Sequence, residues 1–502
     1  MNGPISETDS HSQESSSGMK TSADTQSVGE AGSLTPRLSD GQHPLAGFQF
    51  DKLPMELLVE IFKRARYHTA EDTFAQGANP YPVALVRVCR LWRAAVLSTP
   101  LLWTNINIIE YSTPNSKGAV DTYMERSGTC PLFLTWFSYW KPPPNPREVI
   151  QGLIIRHAER WQRITVVAYE KGIVDALLAA IGTCTFPILR DVEIVSSMQT
   201  SPSNFTVCQN APSLRRYKLG NITSLPPLLS NLVVLDYTLL SSDTKPVNID
   251  PLLDFLSHVT HSLEHLQFSP SLCPVLVTPR NSRISLQNLK SLTVTDSHAI
   301  MSHILTPNLV YFAAVRPYDI VDEMFKDFSA PKLQSLRFSR IPLLPLLASH
   351  HLPSMFPQLE SIFAADCTGD SALVSLLGSP EPKEIPNSRK GSKSPPNHWR
   401  VENPFPKLKE LAIWLSSLED LTSLKAVMKE RLEKGSKSLR KVQLPKEVSR
   451  EACSFQENLG QWFRERDIDF KLVERVGWQI PAPPELQDGI CDGELKYFFK
   501  LD

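Results

Sequence analysis

Apolar residues recur along this chain in two rhythms, and each marks a different kind of element. Between Leu53 and Val96 they fall three and four residues apart: Leu57, Leu58, Ile61 and Phe62 first, then Leu85, Val88, Cys89, Trp92 and Val96. That spacing puts one greasy stripe along a helix, so two amphipathic helices are predicted here. Pro54 suits the first turn of the first helix, where its missing N–H would be unpaired anyway. Asn79-Pro80-Tyr81-Pro82 punctuates the chain before the second helix, Thr99-Pro100 stops it, and Leu101-Leu102-Trp103 forms a short apolar anchor. So small a helical module carries more large apolar groups, Trp92 and Trp103 among them, than its own core needs.

The second rhythm is Leu-x-x-φ-x-φ, with φ apolar. It appears at Leu189-Val192-Ile194, Leu214-Tyr217-Leu219, Leu232-Leu235-Tyr237, Leu263-Leu266-Phe268, Leu289-Leu292-Val294, Leu309-Phe312-Ala314, Leu333-Leu336-Phe338, Leu359-Ile362-Ala364, Leu408-Leu411-Ile413 and Leu439-Val442-Leu444. Trp161-Ile164-Val166 reads as an earlier, degenerate copy. The φ-x-φ pair predicts a short strand with one buried face, and the Leu before it tucks under the turn. Starts lie mostly 18 to 31 residues apart, with one gap of 49. Between strands, Asp250-Pro251 reads as a cap for a helix carrying Leu252, Leu253, Leu256 and Val259. Ser417 with Asp420 reads as a capping box for Leu418, Leu421, Leu424, Met428 and Leu432, ended by Gly435.

Composition adds boundaries. The chain has 502 residues, 41 of them Pro against 21 Gly, which suits many short elements broken by turns. Residues 1–47 are polar and low in aromatics, and are expected to be disordered; they lack the basic and apolar regions of a secretory signal. The helical module is expected over 48–110 and the repeats over 120–475. A polar loop is inserted at 379–402, where Arg389, Lys390 and Lys393 could serve nuclear import and Ser394-Pro395 could take a phosphate; a solvated loop with neither role is the favoured reading. Residues 476–502 read as a tail. Net charge is −1, so nothing global attracts nucleic acid or an anionic membrane. The eight cysteines are scattered without a Cys-x-x-Cys pair, and reduced thiols in a cytoplasmic or nuclear protein are expected.

The first 50 or so ordered residues resemble the F-box family. Its pattern matches Leu53-Pro54, Glu56, Leu57-Leu58, Ile61-Phe62, Val88-Cys89, Trp92-Arg93, Pro100 and Leu102-Trp103. The link from Tyr67 to Pro82 is longer than the family's usual one. The repeats resemble irregular leucine-rich repeats, although the place that family gives to Asn or Cys holds Ser197, Ile222, Ser271 and Ser297, and only Cys367 matches. The combination looks like the F-box-like proteins of mushroom-forming fungi (basidiomycete type). The resemblance implies an α/β fold: a helical F-box-like module, then an irregular leucine-rich-repeat solenoid of short parallel strands alternating with helices. It implies a non-catalytic substrate receptor of a Skp-cullin-F-box ubiquitin ligase. Leu53, Pro54, Leu57, Ile61, Phe62, Val88, Cys89 and Trp92 would divide between the small core and the surface that binds a Skp-type adaptor. A protein-interaction scaffold outside any ligase is the alternative.

In such a solenoid the residues alternating with φ face an open concave side and would touch a protein target: Asp191, Glu193, Arg216, Lys218, His265, Gln267, Tyr311, Arg337, Phe363, Glu410, Trp414, Lys441 and Gln443. Of these Arg216, Lys218, Tyr311, Arg337, Phe363 and Trp414 are the principal candidates, because aromatics and Arg dominate binding energy. His261-Ser-Leu-Glu264-His265 spells a zinc-protease string. Leu263 and Leu266 fall in repeat register, however, so a turn and strand are expected, which cannot turn both imidazoles to one metal. No phosphate-cradling loop or nucleophile elbow occurs, and no catalytic residue, metal or cofactor is expected.

Overall fold

A computed structural model describes residues 53–69, 82–109, 114–138, 146–169, 171–200, 211–223, 225, 230–239, 246–270, 275–278, 280, 282–296, 299–316, 328, 330–340, 352–365, 367, 377, 405–413, 418–433, 438–446 and 450–473. The expected leader 1–47, most of the long link after Tyr67, the inserted loop 379–402, the tail 476–502, Ser417, Gly435 and Trp414 lie outside the described residues. By its internal contacts the chain falls into two units, 1–53 and 54–502.

Helix α1, Met55–Thr69, starts on the Pro54 carbonyl, which accepts the N–H groups of Leu57 and Leu58. The single second helix expected from the stripe is instead two: α2, Val83–Val86, and α3, Arg90–Leu97. Cys89 between them is extended (φ −156°, ψ 173°), and its Sγ accepts the Trp92 N–H as an N-cap. Arg93 Nε reaches back 3.1 Å to the Val86 carbonyl freed by the break. Helical spacing therefore continues across a kink that local hydrogen bonds hold open. A 3-10 turn, Pro100–Trp103, closes the region, with the Trp103 indole donating to the Val96 carbonyl at 3.0 Å.

Strand β1, Asn105–Ile109, follows at once. After it come α4 (Pro114–Arg126), β2 (Leu132–Ser138), α5 (Pro146–Leu153), β3 (Trp161–Ala168), α6 (Lys171–Thr183), β4 (Asp191–Thr200), β5 (Arg216–Ile222), β6 (Val234–Thr238), β7 (Val247–Asn248), α7 (Asp250–His258) and β8 (His265–Ser269). The later strands are β9 (Val275–Leu276), β10 (Ile284–Ser285), β11 (Ser291–Thr295), β12 (Ile304–Leu305), β13 (Tyr311–Val315), β14 (Ser335–Ser339), β15 (Ser361–Ala365), β16 (Glu410–Ile413), β17 (Lys441–Pro445) and β18 (Asp469–Val473). Fourteen of them form one sheet in chain order, β1-β2-β3-β4-β5-β6-β8-β11-β13-β14-β15-β16-β17-β18. Every pairing in it is parallel, and the four two-residue strands pair separately, β7 with β9 and β10 with β12.

The register explains the Leu-x-x-φ-x-φ string. Val192, Tyr217, Leu235, Leu266, Leu292, Phe312, Leu336, Ile362, Leu411 and Val442 fall on one column across the sheet, and all are buried. The leading leucines, from Leu189 to Leu439, are buried too. From Leu189 to Leu408, the residue after each leading leucine offers a carbonyl that takes two N–H groups from the next unit, as Arg190 does from Arg215 and Arg216, Glu264 from Lys290 and Ser291, and Glu360 from Lys409 and Glu410. The residue before it often donates backwards, as Ser213 Oγ does to Pro187, Asn231 Nδ2 to Pro212 and Asn308 Nδ2 to Gln287. Turns that would otherwise leave backbone groups unpaired are thus satisfied by their neighbours.

Two further expectations need correction. Asp250 does not cap its helix; it is the first helical residue, Asn248 Oδ1 accepts its N–H, and its carboxylate engages Thr278 and Arg280. The parallel sheet also begins earlier and ends later than the string indicated. Trp103 occupies the leading position before Ile106 and Ile108, and in β18 Phe470 pairs with Val442 although Asp467 precedes it. Among the described residues no helix is long and apolar enough to cross a membrane.

Candidate functional site

The helical region sorts its apolar residues into two sets. Leu58 and Phe62 are sealed at 1% and 2% exposure, together with Ala95, Val96, Leu102 and Trp103. Phe62 meets the Trp92 ring edge-on at 4.8 Å, and Trp92 itself is half-buried. One helical step away, Leu57 and Ile61 remain 54% and 46% exposed, and Val88 in the kink is 57% exposed. Pro54 and Cys89 are also exposed, while Leu53 is partly buried. Of the eight residues the sequence nominated, Phe62 belongs to the core. Leu57, Ile61, Val88, Pro54 and Cys89 lie on the surface, and Trp92 straddles both. Leu97 and Leu101 add exposed apolar area; the sequence pattern left Leu97 out and took Leu101 only as part of the short apolar anchor. Their signal is visible afterwards: both sit beside a buried residue in the last turns, with polar Ser98 between them.

Behind these helices Trp103 packs against α4, with the Tyr123 ring edge-on at 5.2 Å and the Arg126 guanidinium over the indole at 4.4 Å. Burial pushes the Tyr123 hydroxyl well above its ordinary range. The same tryptophan therefore closes the helical region and opens the sheet.

On the sheet, the residues alternating with φ form the second candidate surface. Its first strands carry a ladder of ion pairs: Arg163 to Asp191 at 3.3 Å, Asp191 to Arg216 at 3.9 Å, and Glu193 to Lys218 at 2.6 Å. Asp236, opposite Lys218 on β6, is pushed up to about 6 by burial, against the pull of Lys218. Gln267 and Gln443 are partly exposed, and Glu410 meets Lys441 at 3.6 Å. Arg337 on β14 lies over the Tyr311 ring at 5.2 Å and the Phe363 ring at 5.5 Å. Tyr311 was expected to be open and is instead 5% exposed, with that guanidinium over its ring; His265 is buried as well.

The zinc-like string resolves into a turn and a strand. Glu264 pairs with Lys290 at 2.7 Å and His265 opens β8. His261 borders a polar recess of about 640 Å³ that includes Arg190, Arg215 and Asn288. Among the described residues no group of three or more His, Cys, Asp or Glu could hold a metal ion.

Compared with known proteins, the chain as a whole finds no match among curated sequences. The F-box-like family profile matches residues 50–109, from just before α1 to the end of β1. This chain therefore carries an F-box-like domain at residues 50–109, whose last five residues are the first strand of a long parallel sheet.

Proposed function

We propose that the chain is the substrate-receptor subunit of a Skp-cullin-F-box ubiquitin ligase, with no catalytic site of its own. F-box domains typically bind Skp-type adaptors. The observation that carries the reading is the exposed apolar set Leu57, Ile61 and Val88 within the F-box-like match. Shielding such side chains on a partner supplies on the order of 1 kcal/mol apiece. The chain-order parallel sheet and its recurring leucine register support an irregular leucine-rich-repeat solenoid, whose alternating residues would hold a protein target. A target held beside the conjugating machinery reacts through raised effective concentration, without chemistry from this chain. The cytoplasm and nucleus, where such ligases work, are the proposed locations.

A second reading is a scaffold outside any ligase, favoured by the burial of Trp103 against α4, which lets the helices serve as an end cap. Co-purification of the full chain with a Skp-type adaptor separates the two. Wild type is expected to retain the adaptor. Leu57→Ala with Ile61→Ala is expected to lose it about tenfold or more while unfolding at an unchanged temperature. Phe62→Ala is expected to cost about 3–5 kcal/mol of stability. A folded wild type that retains no adaptor overturns the ligase reading and leaves the scaffold.

A further inference from the structure

Cations on the outward columns of the sheet come paired. Arg163 and Arg216 share Asp191, Lys218 has Glu193, Lys441 has Glu410, and Lys471 has Asp469. Arg337 breaks the rule. Its Nε and Nη1 are shielded from solvent and have no hydrogen-bond partner among the described residues. Its contacts are instead with two rings, Tyr311 and Phe363. Glu410, the nearest acidic influence on it, is engaged by Lys441. Burial holds the guanidinium below the usual arginine range, yet arginine stays charged.

A shielded cation without an anion is unfavourable. Rings on either side hold the guanidinium in place but satisfy none of its donors. Directly opposite Arg337 are Ala313 on β13 and Phe363 on β15, and Phe363 in turn faces Ala412 on β16. The residue as a whole remains partly exposed, within reach of another chain. With Nε and Nη1 shielded, Nη2 is the donor left to meet an oxyanion, by a charge-assisted hydrogen bond. A single positive charge with Glu410 nearby suits a monoanion better than a doubly charged phosphate.

We infer that Arg337, clamped between Tyr311 and Phe363, is the anchor for a carboxylate side chain of a bound peptide segment, so that the target recognised on this sheet carries Asp or Glu beside an apolar residue. The inference deepens the target-holding half of the proposed function and rests on it.

The test is an array of acetylated, amidated pentapeptides Gly-X-Glu-X-Gly, where X is every amino acid in turn, with matching Gln and phosphoserine arrays, probed with the full chain. Glu peptides bearing apolar X are expected to bind about tenfold more tightly than their Gln counterparts. Arg337→Met is expected to erase that difference and to leave the unfolding temperature unchanged or raised, since it removes a buried charge that has no partner. Arg337→Lys is expected to keep part of the preference. Equal binding of Glu and Gln peptides, stronger binding of the phosphoserine set, or an Arg337→Met variant that melts several degrees lower would each overturn the assignment. Adaptor retention is measured separately in the same preparations: its loss with the carboxylate preference intact removes the ligase reading and spares this site.

Discussion

Asp236 shows how a single residue on the charged ladder sets a pH response. Lys218 lies opposite it and is already held by Glu193, so two carboxylates compete for one ammonium. The folded-state value of about 6 stands above the ordinary aspartate value, near 4. The folded state therefore holds a proton that the unfolded chain releases between those values, and stability falls as pH rises from about 4 through about 6. Asp236→Asn is expected to flatten that slope and to raise stability at pH 7.5 by about 1–2 kcal/mol, as measured by urea unfolding at pH 4.5 and 7.5. Residue types on this surface were legible from the alternation with φ. That Arg337 would lie across a buried Tyr311 was not, because the diagonal neighbour depends on strand register, which the string alone does not carry.

At the scale of elements, the leucine string gave each φ position correctly from β3 to β17, since the same column recurs in every described unit. It missed β1, β2 and β18, where Trp103, Pro131 and Asp467 stand in the leading place. At β1 the buried Trp103 fills the site under the turn as leucine does elsewhere, whereas Pro131 and Asp467 are exposed and fill no such site. The kink at Cys89 was hidden for a different reason: helical periodicity survives a break when the two pieces keep one face inward. The helix Arg450–Arg464 shows an element fixed by close approach. A Cβ on Gly460 would come within 2.7 Å of the Phe470 ring on β18, which is stacked on Phe463 at 5.6 Å. Helix propensity favours alanine by about 1 kcal/mol, but the pinned ring has little room to retreat and overpacking costs about 1–3 kcal/mol. Gly460→Ala is expected to lower stability by about 1 kcal/mol net, read as an earlier midpoint in urea.

For the whole molecule, the decisive join lies at Trp103, Thr104 and Asn105. The Thr104 carbonyl already accepts the Phe133 N–H, so the chain passes from the last helical turn into the sheet without a free residue. Residues 54–502 form one unit by their contacts, and a single unfolding transition seen by both tryptophan fluorescence and far-ultraviolet dichroism is expected. Inserting Gly-Ser-Gly-Ser after Thr104 is expected to split it into two, with the helical part melting first, because some 50 residues alone bury too little surface. Coincident transitions in the insertion variant would show that the join carries no coupling.

That join is an arm without an elbow. A partner gripping Leu57 and Ile61 would be held at one bearing to anything resting on the nearby strands, so swing would have to come from those partners themselves. Reach along such an arm would then be a matter of which strand a bound target occupied, counted off in steps of one strand spacing.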